Sequence, residues 1–206
     1  MADSDPVHLV NDRSILARLK IETRPHHQQT ETRLYARKLM AGTLTRTEYG
    51  HLIGIHYRFH QALETAVATQ SGFFAGYDRE TRRKTPWLVT DLERLGLPLP
   101  SPRPGLFADW NGYQLLGALY VAEGATLGGQ VVDQALRRIP DLEEAAVPSR
   151  FFGGYGDQTR PHWQAFGTYL TERAREHHDE VVDAAGRAFD YFSELAGPPT
   201  VPARPV

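Results

Sequence analysis

The 206-residue chain contains no cysteine. That absence excludes disulfides, thiolate zinc sites, cysteine nucleophiles, iron–sulfur clusters and thiolate-ligated haem. Any metal must be held by histidine, carboxylate or tyrosine, so the nine histidines are the first candidates. An excess of charge of one sign is also lacking. Lys plus Arg number 23 against 25 for Asp plus Glu, a formal net charge of −2. Such a balance gives no case for nucleic-acid binding. No uninterrupted apolar run approaches the ~20 residues of a membrane span. The start, Met1-Ala2-Asp3-Ser4-Asp5-Pro6, is polar and acidic, unlike a signal peptide, so a cytoplasmic protein without membrane attachment is expected. Period-two alternation is scarce as well. Apolar residues recur instead at three and four, which predicts a helical protein.

Thr45-Arg46-Thr47-Glu48 has the form of a capping box. A continuous face follows it: Tyr49, Leu52, Ile53, His56, Phe59, His60, Leu63 and Val67, to about residue 69. Thr85-Pro86 opens a shorter helix and Gly96 closes it. Pro98 to Pro104 is a connector. Tyr113, Leu116, Gly117, Tyr120, Val121, Gly124, Gly128, Val131 and Ala135 share the face of a long helix. Phe151 to Gly156 reads as a loop, followed by helices over roughly 160–176 and 178–195. With short connectors and no internal repeat, one all-α domain over 1–196 is expected, with a Pro-rich, disordered tail over 197–206.

Two segments depart from ordinary helix composition. In the first, Leu19 to Glu31, His27 and Glu31 stand one turn apart, and Lys20 lies two turns before His27. A metal-bound histidine commonly hands its second ring N–H to a carboxylate, as this pair would allow. A solvated His–Glu pair is the plain alternative. Pro25 either kinks this helix or starts a new one. In the second segment, Gly124, Gly128 and Gly129 fall within six residues of a helix, at about 1 kcal/mol each relative to alanine. Missing Cβ atoms make either a slot for a flat ligand or a close helix contact. A histidine on one helix facing a glycine-rich helix would sandwich a planar metallocycle.

The chain resembles the haem oxygenase family over about Leu16 to Leu195. The resemblance is carried by Leu19-Lys20, Thr23, His27 and Glu31; by Leu44-Thr45-Arg46, Tyr49, Tyr57 and Ala62-Leu63-Glu64; by Tyr120-Val121-Ala122-Glu123-Gly124 with Leu127-Gly128-Gly129-Gln130; and by the closing helix from Val181 to Leu195. The form is closer to the bacterial branch, which includes enzymes supplying bilin to bacteriophytochromes. The resemblance implies a helical bundle holding haem b, both substrate and cofactor, between a proximal helix and a glycine-kinked distal helix. Haem would be cleaved to biliverdin, CO and ferrous iron with O2 and electrons from an external reductant, such as a ferredoxin or a flavin reductase.

On that resemblance His27, not His26, is the iron ligand. Glu31 orients its ring, Lys20 pairs a propionate, and Tyr120, Gly124, Gly128 and Gly129 form the distal wall. Gly124 and Gly128 set the direction of attack. Where the mammalian enzymes have Gly-Asp, this chain has Gly124-Ala125, so that carboxylate is missing. Glu123 is expected to point away from haem. Tyr169, Arg173 and Arg175 lie near the stretch that supplies a second propionate partner in mammalian enzymes. Arg24, Arg33, Arg37 and Lys38 are candidates to dock an acidic electron donor, or are an ordinary solvated face. Two other readings remain open. One is a non-catalytic haem carrier. The other is a non-haem di-iron oxidase of the same fold, drawing on His60, Glu64, His177, His178 and Asp179.

Overall fold

The computed structural model describes residues 14–142 and 149–197. The tail expectation falls outside these residues from 198 onward. All regular structure among the described residues is helical. The order is α1 (Ile15–Glu22), α2 (Arg24–Arg33), α3 (Ala36–Met40), α4 (Arg46–Thr69), α5 (Arg79–Arg82), α6 (Thr85–Arg94), α7 (Gly112–Leu136), α8 (Thr159–Ala174) and α9 (His178–Leu195).

Local signals set the helix ends. The Thr45 hydroxyl accepts from Glu48 N while the Glu48 carboxylate takes Thr45 N, which closes the expected box at the start of α4. A second box, Asn111 with Gln114, starts α7. Gly96 closes α6 with φ +64°, a left-handed angle that glycine adopts without strain. Pro25 opens a helix: Thr23 ends α1, its hydroxyl donating to the Leu19 carbonyl at 2.7 Å, and α2 begins one residue later. Proline is harmless in a first turn, where its missing N–H has no partner to lose.

α7 and α9 form the spine. They approach closely at Gly117, where a Cβ would stand 2.8 Å from Ala185 N and closer still to the Val181 carbonyl. One apolar cluster joins α1, α4, α7, α8 and α9 around Phe59, Leu116, Phe166 and Phe192. Another joins α3, α4, α6 and the end of α7 with Phe151 and Phe152. α4 belongs to both. α7 is long and apolar enough on average to cross a membrane by length and composition, with a mean hydropathy of 1.3 over its most apolar window, although Glu123 and Asp133 interrupt its apolar run. Here it is a core helix, carrying buried Glu123 and Asp133.

Candidate haem site

The break at Thr23 turns α2 so that its two histidines diverge. His26 points to α9, with Nδ1 2.9 Å from Asp190 Oδ1 and its ring against Gly186. His27 instead lines a cavity of about 890 Å3, its ring edge-on to Phe189 at 5.3 Å. Lys20 and Glu31 line the same cavity, so α1 and α2 bring Lys20, His27 and Glu31 to one wall. His27 and Glu31 are both about half exposed, and their closest polar approach is Nε2 to Oε1 at 3.7 Å. That is too long for a hydrogen bond. It also places Nε2, rather than Nδ1, towards the carboxylate.

α7 forms the opposite wall with Tyr120, Val121, Gly124, Ala125, Gly128 and Gly129. The three glycines differ. A Cβ on Gly128 would have no neighbour within 4 Å, and one on Gly124 would meet only the Trp163 ring, at 4.0 Å. Both open onto free space. Gly129 is a packing glycine: its Cβ would lie 2.7 Å from the Phe152 carbonyl oxygen. Its missing side chain lets the 149–156 turn close on α7. The face shared in sequence by Leu116, Gly117, Gly124, Gly128 and Val131 therefore splits in space. Its first part packs on α9, its second lines the cavity, and Val131 is 56% exposed.

Three cavity residues have no counterpart among the sequence-derived candidates. Trp163 on α8 closes the edge beside Gly124 and Tyr120. Phe152 is held by a polar turn: buried Asp91 accepts from Arg150 N at 2.7 Å, Phe151 N at 2.9 Å and the Ser149 hydroxyl at 2.8 Å. His56 on α4 also lines the cavity. It packs among Phe151, Phe152 and Phe192, and its Nδ1 is buried without a hydrogen-bond partner. Burial pushes its pKa down to about 3, so it is neutral at physiological pH. A histidine on an otherwise apolar helical face was the available signal.

Other candidates lie elsewhere. Arg173 donates to the Phe73 carbonyl and Arg175 to the Glu172 carbonyl, and neither they nor Tyr169 lines the cavity. Glu123 is 1% exposed and turns to the far side of α7. The di-iron candidates are dispersed. Glu64 caps α6 by accepting from Lys84 N and Thr85 N, His177 stacks on Tyr113, and Asp179 pairs with Arg18. Among the described residues no three metal-ligating side chains gather. Arg24, Arg33, Arg37 and Lys38 are exposed, and Lys38 is bound to Glu48.

The cavity fits a planar macrocycle. Its volume is within the range of small-molecule sites. Its lining is mostly apolar, with an imidazole and a lysine on one wall and a stretch without Cβ atoms on the other. An all-α bundle with such a cleft defines a class of haem-binding proteins. The heme oxygenase family model matches residues 13–97 and 106–197, and the chain belongs to the haem oxygenase family. A protein named heme oxygenase from Xanthomonas campestris pv. campestris is 29% identical over 137 residues, covering 64% of this chain and 77% of that one. The NO- and CO-bound heme oxygenase of Neisseria meningitidis superimposes with a TM-score of 0.73 at 20% identity, covering 89% and 90% of the two chains. The Leptospira interrogans heme oxygenase gives 0.77 at 16%, covering 89% and 98%. Heme oxygenase 2 of Chlamydomonas reinhardtii, solved without heme, gives 0.75 at 19%, covering 93% and 100%. At these identities the structures show the shared all-α fold.

Proposed function

We propose that this protein binds haem b between α2 and α7 and cleaves it to biliverdin, CO and ferrous iron, with O2 and an external reductant. The observation that carries the reading is the pairing of His27 and Lys20 on one wall with the open glycines Gly124 and Gly128 on the other. Bound haem supplies both the oxygen-activating iron and the carbon skeleton that is oxidised. The protein's part is position.

His27 is the iron ligand, and Glu31, one turn on, orients its ring. Because Nε2 is the ring nitrogen nearest the carboxylate, the half-exposed His27 ring would have to turn over for Nε2 to hold iron and Nδ1 to donate to Glu31. Lys20 pairs with a propionate at the rim. Gly124 and Gly128 would let the macrocycle approach the α7 backbone and so would set the direction of attack. Gly129 serves the same wall indirectly, by seating Phe152. Ala125 brings no carboxylate to the distal side, and Glu123 faces away. Among the described residues of this wall no carboxylate would stand ready to donate a proton at the distal side, a setting that would suit oxidation of the macrocycle itself. His56 borders the cavity as a buried, neutral ring. Tyr120 and Trp163 line the same cavity and would bring further donors to it.

Exposed Arg24, Arg33 and Arg37 make the α2–α3 surface a docking face for an acidic donor, such as a ferredoxin or a flavin reductase. Delivery of bilin to a bacteriophytochrome is the downstream use that the sequence form supports. The test is optical. Haemin is added to the protein, then a reductant under air. Loss of the Soret band with rising red bilin absorption supports turnover. A persistent Soret band makes the protein a haem carrier.

A further inference from the structure

Behind the distal wall, a buried ionic cluster gathers on Glu123. Its Oε2 accepts from Arg82 Nη1 at 2.9 Å and from the Tyr155 hydroxyl at 3.3 Å. Its Oε1 accepts from the Tyr77 hydroxyl at 3.1 Å and from the Lys84 ammonium. Lys84 also donates to the Tyr155 hydroxyl at 2.8 Å and to the Arg82 carbonyl at 2.9 Å. Arg82 reaches the His162 carbonyl at 3.1 Å. Arg82, Lys84 and Glu123 are all under 9% exposed.

Three parts of the cluster, Glu123, Tyr155 and the His162 carbonyl, are each a short step from a cavity residue. Glu123 precedes Gly124 on α7. Tyr155 belongs to the turn that carries Phe152. The His162 carbonyl is adjacent in sequence to Trp163, whose ring is the nearest neighbour of a Cβ on Gly124. One carboxylate thus ties together the three elements that bound the distal side of the slot. Apolar contacts hold helices together but tolerate small rotations and slides. Charge-assisted hydrogen bonds are directional, and a buried charge left unpaired is costly.

We propose that Glu123 is a positioning residue that sets the separation of Gly124, Trp163 and Phe152, and through it the meso position at which haem is cleaved. It touches neither haem nor O2. The inference rests on the haem-cleaving reading above.

The test compares Glu123→Gln, which keeps the shape and removes the charge, with Lys84→Met. The second variant leaves the Glu123–Arg82 pair intact and matched one to one, so it guards against failure of the first to fold. Thr45→Ala, which loses the α4 cap far from the cluster, controls for stability alone. Two quantities are read: the biliverdin isomer ratio by chromatography after turnover, and the affinity of the apoprotein for zinc protoporphyrin by fluorescence. Glu123→Gln should shift the isomer ratio by about fivefold or more and weaken porphyrin binding, since misplacement of ~1 Å costs on the order of 10²-fold in rate. Lys84→Met should move both in the same direction by less, and Thr45→Ala should move neither. Folded Glu123→Gln or Lys84→Met with unchanged isomers and affinity would overturn the proposal and leave a structural ion cluster. Wild-type protein that binds zinc protoporphyrin but forms no bilin would instead overturn the functional reading.

Discussion

Gly117 and Gly128 lie eleven residues apart on the same helix, yet alanine should have opposite effects at the two positions. A Cβ at Gly128 meets nothing within 4 Å. Alanine in a helix interior is about 0.8–1 kcal/mol better than glycine. Gly128→Ala should therefore stabilise the apoprotein by roughly that amount, raising Tm by about 2–4 °C for a chain of this size. The same methyl projects into the slot. Inserting a methyl into a filled space costs ~1–3 kcal/mol, so haem affinity should fall about tenfold. At Gly117 the new Cβ lies 2.8 Å from Ala185 N and overlaps the Val181 carbonyl. Both are backbone atoms of a neighbouring helix and cannot swing away. An overpacking cost near ~3 kcal/mol less ~1 kcal/mol of propensity leaves a net loss of about 2 kcal/mol. Tm should drop by about 4–8 °C. The folded Gly117→Ala fraction should bind haem with unchanged affinity. Calorimetry of the apoproteins and haemin titration read both quantities. If Gly128→Ala lowers the apo Tm, or binds haem as tightly as wild type, the open slot at Gly128 is wrong. If Gly117→Ala is neutral, the close α7–α9 approach is wrong.

His27→Ala should abolish the haem-ligand spectrum and bilin formation while His26→Ala keeps both; the reverse pattern would move the ligand to His26. Glu31→Gln should leave haem bound and shift the iron–histidine stretch in resonance Raman, and an unchanged stretch would remove Glu31 from the ligand's hydrogen-bonding partners. Gly129→Ala should cost stability rather than slot space, because its Cβ would lie 2.7 Å from the Phe152 carbonyl oxygen; a thermal scan showing no loss would contradict that packing. His56 carries a pH signature. Its folded pKa of about 3 lies below the ~6.5 of an unfolded histidine, so between these values the unfolded chain holds the extra proton. Its contribution is complete above about pH 6.5 and declines by ~1.4 kcal/mol per pH unit as pH falls towards 3. Buried His60 shifts in the same direction, so His56→Leu should remove only part of the acid slope in urea unfolding between about pH 6 and 4. A slope equal to wild type would mean that His56 is protonated in the folded state.

Position in sequence carries information when a residue's role depends on its own helix. Thr45 with Glu48, Pro86 with Gly96, and the periodic faces of α4 and α9 are such cases, and those helices fall where the periodicity puts them. The one-turn relation of His27 and Glu31 is local too, and so is the close spacing of the glycines. What each glycine is for is not local. Gly117, Gly124, Gly128 and Gly129 look alike in sequence, and only their neighbours separate a helix contact, two open positions and a turn contact. The same holds for Asp91, whose partners Ser149, Arg150 and Phe151 lie about 60 residues on, and for Trp163, which borders the cavity through the packing of α8 on α7. Glu123 is the sharpest case. It stands beside a cavity residue in the chain, which makes it look distal, but a 100° step round the helix turns its carboxylate off the cavity face. There it meets Tyr77, Arg82, Lys84 and Tyr155 from segments that no spacing rule relates to it. A cavity built from α1, α2, α3, α4, α7, α8, α9 and a turn has its ligand-facing atoms encoded locally and its dimensions encoded by distant pairs. Substitutions at the first should act mainly on binding, and substitutions at the second on which edge of the bound macrocycle is exposed.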